Sequence, residues 1–250
     1  MTEKGGYESS MKNFRMNVQK AEKQFELSEE NRNPYDGIKI ENESQEDYEE
    51  VEILTRKAFW NVHAPGCEEH YLAHILRSHA DFIPELDFVA RTADGRIVGN
   101  VMYTRARLTD ETGKDMPILT FGPLSVHPDY QRRGIGKRLL EYSFQKAEAM
   151  GYGVIVIFGD PGNYVARGFV SCRKFGVTTP DGKYPAAMLV KELREGALHS
   201  GKWIYQESPA YEYDSADAAA FDKRFEPMQK EVRPGQEIFY ILSHAVIREE

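Results

Sequence analysis

Leu124-Ser125-Val126-His127-Pro128-Asp129-Tyr130-Gln131-Arg132-Arg133-Gly134-Ile135-Gly136-Lys137 is the most informative stretch of this 250-residue chain. An apolar, β-prone run from Ile118 to Val126 feeds it, and a long amphipathic segment from about Gly134 to Met150 leaves it. It therefore reads as a strand end, a tight loop and the first turn of a helix. The first four N–H groups of a helix have no internal partner, and the macrodipole places about half a positive charge at that end. Gly134 and Gly136 carry no side chain to block an approaching polyanion, while Arg132, Arg133 and Lys137 add cations at the same place. Together they form an anion cradle of the size of a diphosphate.

Two nucleotide fingerprints fail on spacing. A Walker A loop needs Ser or Thr after its lysine, and Lys137 is followed by Arg138; a dinucleotide fingerprint needs a third glycine where Leu139 stands.

Working outward, Lys137, Glu141, Gln145 and Glu148 line one face of the helix, and Ile135, Leu139, Leu140, Phe144, Ala147 and Met150 form a wide apolar arc expected to pack on a sheet. Gly151 ends it. Val154–Phe158 is a continuous apolar run, expected to be buried on both faces. Before the cradle, Ala93-Asp94-Gly95 joins Leu86–Arg91 to Arg96–Leu108 as a hairpin. Ahead of that, a strand at Ile38–Ile40 and a capping box at Ser44–Asp47 open a helix with Tyr48, Val51, Ile53, Leu54 and Phe59 turned to a core; a second helix follows near Glu68–Arg77. A short helix near Asn163–Arg167 and a strand at Ala186–Leu193 complete the order βααβββαβαβ, a mixed α/β domain over residues 37–195.

Residues 1–36 are polar and read as a flexible arm, with Phe14, Val18, Ala21 and Phe25 at helical spacing. Residues 196–250 read as a C-terminal extension with helices at Ser215–Phe225 and Gly235–Ile247. In the second, Ile238, Ile241, Leu242 and Ala245 form an apolar stripe that suits a lid or a homodimer contact.

Composition narrows the function. A 29% charged, 41% hydrophobic chain is an ordinary globular protein, and its net charge of −8 argues against generic nucleic-acid binding. No apolar run approaches the ~20 residues of a membrane span, and MTEKGGYESS has no apolar core of a secretory leader. Two cysteines, Cys67 and Cys172, in no paired motif fit a reducing, cytoplasmic compartment and no metal site. His70 and His74 are four apart, without an evident third ligand.

Gln131-Arg132-Arg133-Gly134-Ile135-Gly136 resembles the Q/R-x-x-G-x-G/A signature of the GNAT N-acetyltransferases, whose loop binds the diphosphate of acetyl-CoA. Leu124-x-Val126-x-Pro128-x-Tyr130 and Tyr164-Val165-Ala166-Arg167-Gly168-Phe169 fit the same family, and Phe158-Gly159-Asp160-Pro161 is similar to its YhbS-like branch. The resemblance covers roughly residues 38–193. It implies a mostly antiparallel sheet flanked by helices, and acetyl-CoA as acyl donor without a metal. It also implies direct attack by a primary amine in a ternary complex. Gln131 to Lys137 would hold the diphosphate, and the backbone of Leu124, Ser125 and Val126 would flank the pantetheine arm and polarise the thioester. Tyr164 would protonate the departing thiolate. Ile157 stands where many members carry an asparagine. The general base is left open among Glu68, Glu85, His127 and a water relay. Glu46, Asp47, Glu49, Glu50, Glu68 and Glu69 make the helices that line the acceptor site in the family acidic, which fits a cationic amine and equally a solvated face. The alternative is a non-catalytic acyl-CoA-binding or sensing module.

Overall fold

The hairpin around Gly95 is the seed of the sheet. Strands β2 (Phe88–Arg91) and β3 (Ile97–Asp110) pair antiparallel, with β1 (Lys39–Asn42) outside β2 and β4 (Asp115–Val126) on the other side of β3. The computed structural model describes residues 37–248, so the arm at 1–36 and its Phe14–Phe25 pattern lie outside the described residues. After β4, the sheet runs through β5 (Val154–Phe158) and β8 (Met188–Glu192) to the two-residue β6 (Val170–Ser171). A further strand, β9 (Trp203–Gln206), lies in the stretch read as an extension. It pairs antiparallel with β3 at Thr109↔Ile204 and parallel with β7 (Val177–Thr178). The sheet is antiparallel apart from β4–β5 and β7–β9. The sequence reading missed β6, β7 and β9.

Alternation along the strands assigns the helices to faces, since neighbouring residues of a strand point opposite ways. Helices α1 (Tyr48–Phe59) and α2 (Glu69–Leu76) share one face: Val51 and Leu54 pack on Val89, and Leu72, Ala73 and Leu76 on Met102. Helix α3 (Ile135–Ala149) takes the other, where Tyr142 meets Phe88 edge-on at 5.0 Å and Ser143 bonds the Tyr103 hydroxyl at 2.7 Å. The apolar arc of α3 is buried as expected from Ile135 to Ala147, each large side chain contributing about 1.5–3 kcal/mol. Three expected core residues are not core: Ile53, Met150 and Phe158 are 36%, 44% and 47% exposed, Ile53 because it shares the solvent face of α1 with Glu49 and Lys57, Met150 and Phe158 because they stand where their elements end.

Gly99 explains how α3 lies so close to the sheet. A Cβ there would stand 2.9 Å from Leu139 Cδ1, 3.0 Å from Ile135 Cγ2 and 3.3 Å from the Ser125 carbonyl. Gly99→Ala is expected to destabilise the fold by about 1–3 kcal/mol through overpacking. Urea unfolding measures it, and an unchanged midpoint would mean that α3 backs off without cost.

The capping box is present: the Ser44 N–H donates to Asp47 Oδ2 at 3.0 Å, and Asp47 also holds Arg91 at 2.8 Å. It opens a 3₁₀ turn at Gln45–Asp47 that runs directly into α1. Beyond the sheet, helices α5 (Ser215–Asp222) and α6 (Pro234–His244) return to the C-terminal end of α1. Arg56 binds Asp222 at 2.6 Å and the Glu226 carbonyl at 3.0 Å; Trp60 Nε1 donates to the Gln229 carbonyl at 2.8 Å, and Gln236 Nε2 to the Asn61 carbonyl at 3.2 Å. Buried hydrogen bonds of this kind fix the returning segment against α1. The stripe of Ile238 and Ile241 is exposed, at 67% and 60%, while Gln236 is the buried residue of α6. Its apolar residues follow the expected helical period.

Candidate active site

The cradle folds as its residues dictate. Gln131 Nε2 donates to the Val126 carbonyl at 3.1 Å, closing the loop on the strand it left. The chain then turns on two left-handed residues, Arg132 (φ 58°) and Gly134 (φ 82°), before α3 begins at Ile135. A non-glycine residue in that region costs about 1 kcal/mol or more, which is the kind of strain functional loops hold. Gly134 is the N-cap and has no side chain to satisfy the helix start, so the amides of the first turn are left for another acceptor. A Cβ on Gly134 would meet nothing within 4 Å, and one on Gly136 only Val126 Cγ2 at 3.6 Å. The open space beside these amides is what a diphosphate needs. The residues present fit the group.

A cavity of about 840 Å³ starts at this cradle. Leu124, Val126, Gln131, Arg132, Gly134, Ile135, Gly136, Lys137 and Tyr164 all line it. Two expected site residues do not. Ser125 is fully buried and turns its hydroxyl to Thr55 on α1 at 2.9 Å, because alternate residues of β4 face opposite ways. Arg133 lies with its guanidinium 5.2 Å from the Tyr130 ring centre, on the flank of the loop.

The backbone of β4 is presented to this cavity. The His127 N–H donates to the Val98 carbonyl at 2.9 Å, which makes that pair hydrogen-bonded. Antiparallel pairs alternate, so Leu124 and Val126 turn their N–H and C=O groups away from β3. No strand pairs with them there, because β4 and β5 are in register only at Leu119↔Ile155 and then part; the Gln131 side chain takes the Val126 carbonyl. A slip of register between Val101 and Tyr103 adds Gly122 and Pro123 as a bulge at the same point. Unpaired strand amides facing a cavity can stabilise a developing oxyanion.

Tyr164 closes the split. It sits in α4, a single turn at Pro161–Tyr164 capped by Asp160, whose carboxylate accepts from the Gly162 N–H at 2.8 Å. Its ring packs against Phe121 of β4 at 5.8 Å and Phe169 at 5.7 Å. Burial first, and the charge of Asp160 second, push its pKa up to about 12, so the phenol keeps its proton throughout the working range. Gly159 makes room: a Cβ there would lie 2.5 Å from the ring. Gly159→Ala is expected to displace the ring and lower turnover about 10-fold with CoA affinity held, since misplacing a proton donor weakens its catalysis before it affects binding. Paired kcat and titration measurements check this.

Ile157 is 1% exposed, so the strand offers no polar side chain at that position; Asn163, next to Tyr164, lines the cavity instead. None of the expected base candidates lines the cavity. Glu85 is exposed on a turn, Glu68 accepts from Ser215 at 3.2 Å, and His127 binds Arg96 at 3.0 Å, with burial and that guanidinium lowering its pKa. The carboxylates that do line it are Asp160, Glu69 and Glu207. Glu207 follows β9 and was missed, although Trp203, Tyr205 and Glu207 alternate as a strand edge should. It is open to the cavity yet set deep among protein atoms; desolvation raises its pKa to about 7. Arg167, four residues after Asn163, adds a cation to the wall.

His70 is buried against Phe221 and Phe225, and His74 pairs with Glu52 at 2.8 Å. Among the described residues no group of three His, Cys, Asp or Glu side chains could hold a metal ion, and no helix is long and apolar enough to cross a membrane.

Known proteins resemble this chain. The uncharacterized N-acetyltransferase YjhQ of Escherichia coli K12 is 31% identical over 124 residues, 49% of this chain and 61% of its own. The uncharacterized N-acetyltransferase YhbS of the same strain is 28% identical over 119 residues, 48% of this chain and 65% of its own. The chain thus spans less than two thirds of the length of either relative. Among solved structures, Escherichia coli YhbS in complex with CoA superposes with a TM-score of 0.62 at 22% identity, over 71% of this chain and 93% of that one. A GNAT family acetyltransferase from Brucella melitensis in complex with acetyl-CoA gives 0.54 at 22%, over 70% and 98%. Both share the mixed, largely antiparallel fold. The acetyltransferase (GNAT) family model matches residues 40–176, more than half of the sequence and all of the cradle, and the chain therefore belongs to the GNAT acetyltransferase family.

Proposed function

We propose that this protein transfers the acetyl group of acetyl-CoA to a primary amine by direct attack, with both substrates bound, in the cytoplasm and without a metal. The observation that carries the reading is that one cavity joins the open start of α3, the unpaired edge of β4 and the Tyr164 ring. Amides 134–137, with Gln131, Arg132 and Lys137, would hold the diphosphate, and Arg133 would add its charge from the flank. Leu124 and Val126 would bond the pantetheine arm and polarise the thioester carbonyl, with Ser125 holding their register through Thr55. An oxyanion donor so placed is worth about 3–4 kcal/mol in enzymes where a side-chain one has been removed. Tyr164 would donate its proton to the departing sulfur. A phenol whose pKa is raised is a weak acid against a thiolate whose conjugate acid ionises near 8.5, so the donation relies on a short, aligned bond.

The CoA and acetyl-CoA held by two solved relatives support the choice of donor. The test is thiol release from acetyl-CoA with a panel of primary amines, alongside titration of CoA. Binding with no turnover for any amine would favour a sensing module instead, and no binding would end both readings.

A further inference from the structure

The half of the cavity away from the cradle has its own chemistry, and much of it comes from residues beyond 195. Phe239 of α6 stacks on His63 at 4.1 Å with ring planes 20° apart, and His63 also meets Phe59 of α1 at 5.6 Å. Glu69 of α2 holds the His63 Nδ1 at 2.9 Å. Val62 and Leu72 complete an apolar wall around this stack. Nearer the strand split, Tyr211 donates its hydroxyl to the Gly122 carbonyl of β4 at 3.2 Å, and Tyr205 sets its ring 6.1 Å from Phe158 at the end of β5. Tyr205 also donates to Glu207 Oε1 at 3.3 Å. Glu207 thereby lines the same cavity as the ends of both parted strands and Tyr164. Every cavity-lining lysine or arginine (Arg132, Lys137, Arg167) belongs to the cradle or the Tyr164 turn.

We infer that this half is the acceptor site, that it takes a primary monoamine bearing an aromatic or apolar group, and that Glu207 accepts the ammonium proton. The inference rests on the acetyl-transfer reading. An aromatic wall of Phe59, His63 and Phe239 accommodates a ring or alkyl chain and offers π-faces to a cation. Of the two carboxylates near the split, Asp160 already caps α4 through the Gly162 N–H, which leaves Glu207 to orient one ammonium; a polyamine would need further carboxylates along an apolar wall that has only Glu69, already paired to His63.

The protons balance. The Glu207 carboxylate takes one proton from the bound ammonium and passes it to water. The free amine nitrogen then forms the C–N bond as the C–S bond breaks. Tyr164 gives its proton to sulfur and recovers the one shed by nitrogen. Groups acting on Glu207 are Tyr205 and Tyr211, which sit beside it on its own segment, and Glu212, whose charge raises its pKa further; across the cavity stand Glu69, His63 and Asp160.

The test is kcat and KM for 2-phenylethylamine, hexylamine, spermidine and a lysine peptide from pH 5.5 to 9, on the full chain and on Glu207→Gln and Phe239→Ala. Phenylethylamine and hexylamine should exceed the other two in kcat/KM by about 10-fold or more. Phe239→Ala should raise KM for phenylethylamine about 10-fold and leave kcat and CoA affinity alone. Glu207→Gln should lower kcat about 100-fold and abolish the rise in rate through about pH 7, with CoA binding intact. It should not unfold. A carboxyl whose folded pKa lies above its unfolded value contributes its stability below the unfolded value and loses it as pH rises through about 7, so the glutamine holds or raises Tm at pH 8. A preference for spermidine or the peptide overturns the substrate class; an unaltered pH profile and kcat in Glu207→Gln overturns the base. Failure of the unaltered chain to bind CoA removes the acetyl-transfer reading itself, and is distinguishable from either.

Discussion

Gly136→Asp is expected to weaken CoA binding by about 100-fold while leaving the protein as stable as before or more so. Gly136 is the second residue of α3, and its Cα borders the cavity where the diphosphate would lie. A side chain built there meets only Val126 Cγ2 at 3.6 Å, so the fold admits it. Aspartate near a helix N-terminus is favourable by about 0.3–1 kcal/mol, and replacing a helical glycine gains a few tenths more. The same carboxylate would take over the amides of the first turn and repel a phosphate. Loss of two charge-assisted bonds at about 1.5–3 kcal/mol each corresponds to 100-fold or more in affinity. Gly136→Ala, which fills part of the space without the charge, should fall between. Calorimetric titration with CoA and a thermal melt on the same samples give both numbers. A Gly136→Asp protein that binds CoA normally would place the diphosphate elsewhere.

Tyr164→Phe is expected to lower kcat about 100-fold, the lower end of what a positioned proton donor supplies, with CoA affinity unchanged. Phenylalanine keeps the packing on Phe121 and Phe169 and fits the space that Gly159 provides, so only the hydroxyl is lost. Because the phenol's pKa is pushed up to about 12, the unaltered enzyme should show no fall in rate between pH 8 and 10 from loss of this proton. Thiol-release kinetics over that range test both statements. An undiminished rate in the phenylalanine variant would remove Tyr164 from the chemistry.

Most of the sheet that carries the cradle was legible because its signals are local. Asp94-Gly95 between β-prone runs, the capping box at Ser44, and the apolar arc of α3 each express a rule that operates within a few residues. The cradle was legible for the same reason: Gly134, Gly136 and the cations beside them are contiguous. What escaped depends on distant pairing. Strand β9 is four residues in a glycine-rich stretch and exists because β3 runs past the hairpin to Asp110 and needs a partner. Nothing near Trp203 announces that partner. Glu207, Tyr211 and Phe239 reach the cavity through that strand and the returning helices, so a reading of spacing could not join them to Tyr164. How α6 docks was not legible because its counterpart is the polar end of α1. Gln236, bonded to the Asn61 carbonyl, and Phe239, stacked on His63, make the contact, while Ile238 is exposed. Ser125 was named with its neighbours as one strand segment, and the two-residue period of β4 separates its side chain from theirs.

The most direct single measurement is the crystal structure of this protein grown with CoA. The expected result is a diphosphate within hydrogen-bond reach of the amides of residues 134–137, the pantetheine arm alongside Leu124 and Val126 in place of a strand, and the sulfur next to the Tyr164 hydroxyl. A coenzyme bound outside that turn, or one whose sulfur lies far from the phenol while the diphosphate occupies the turn, would contradict it.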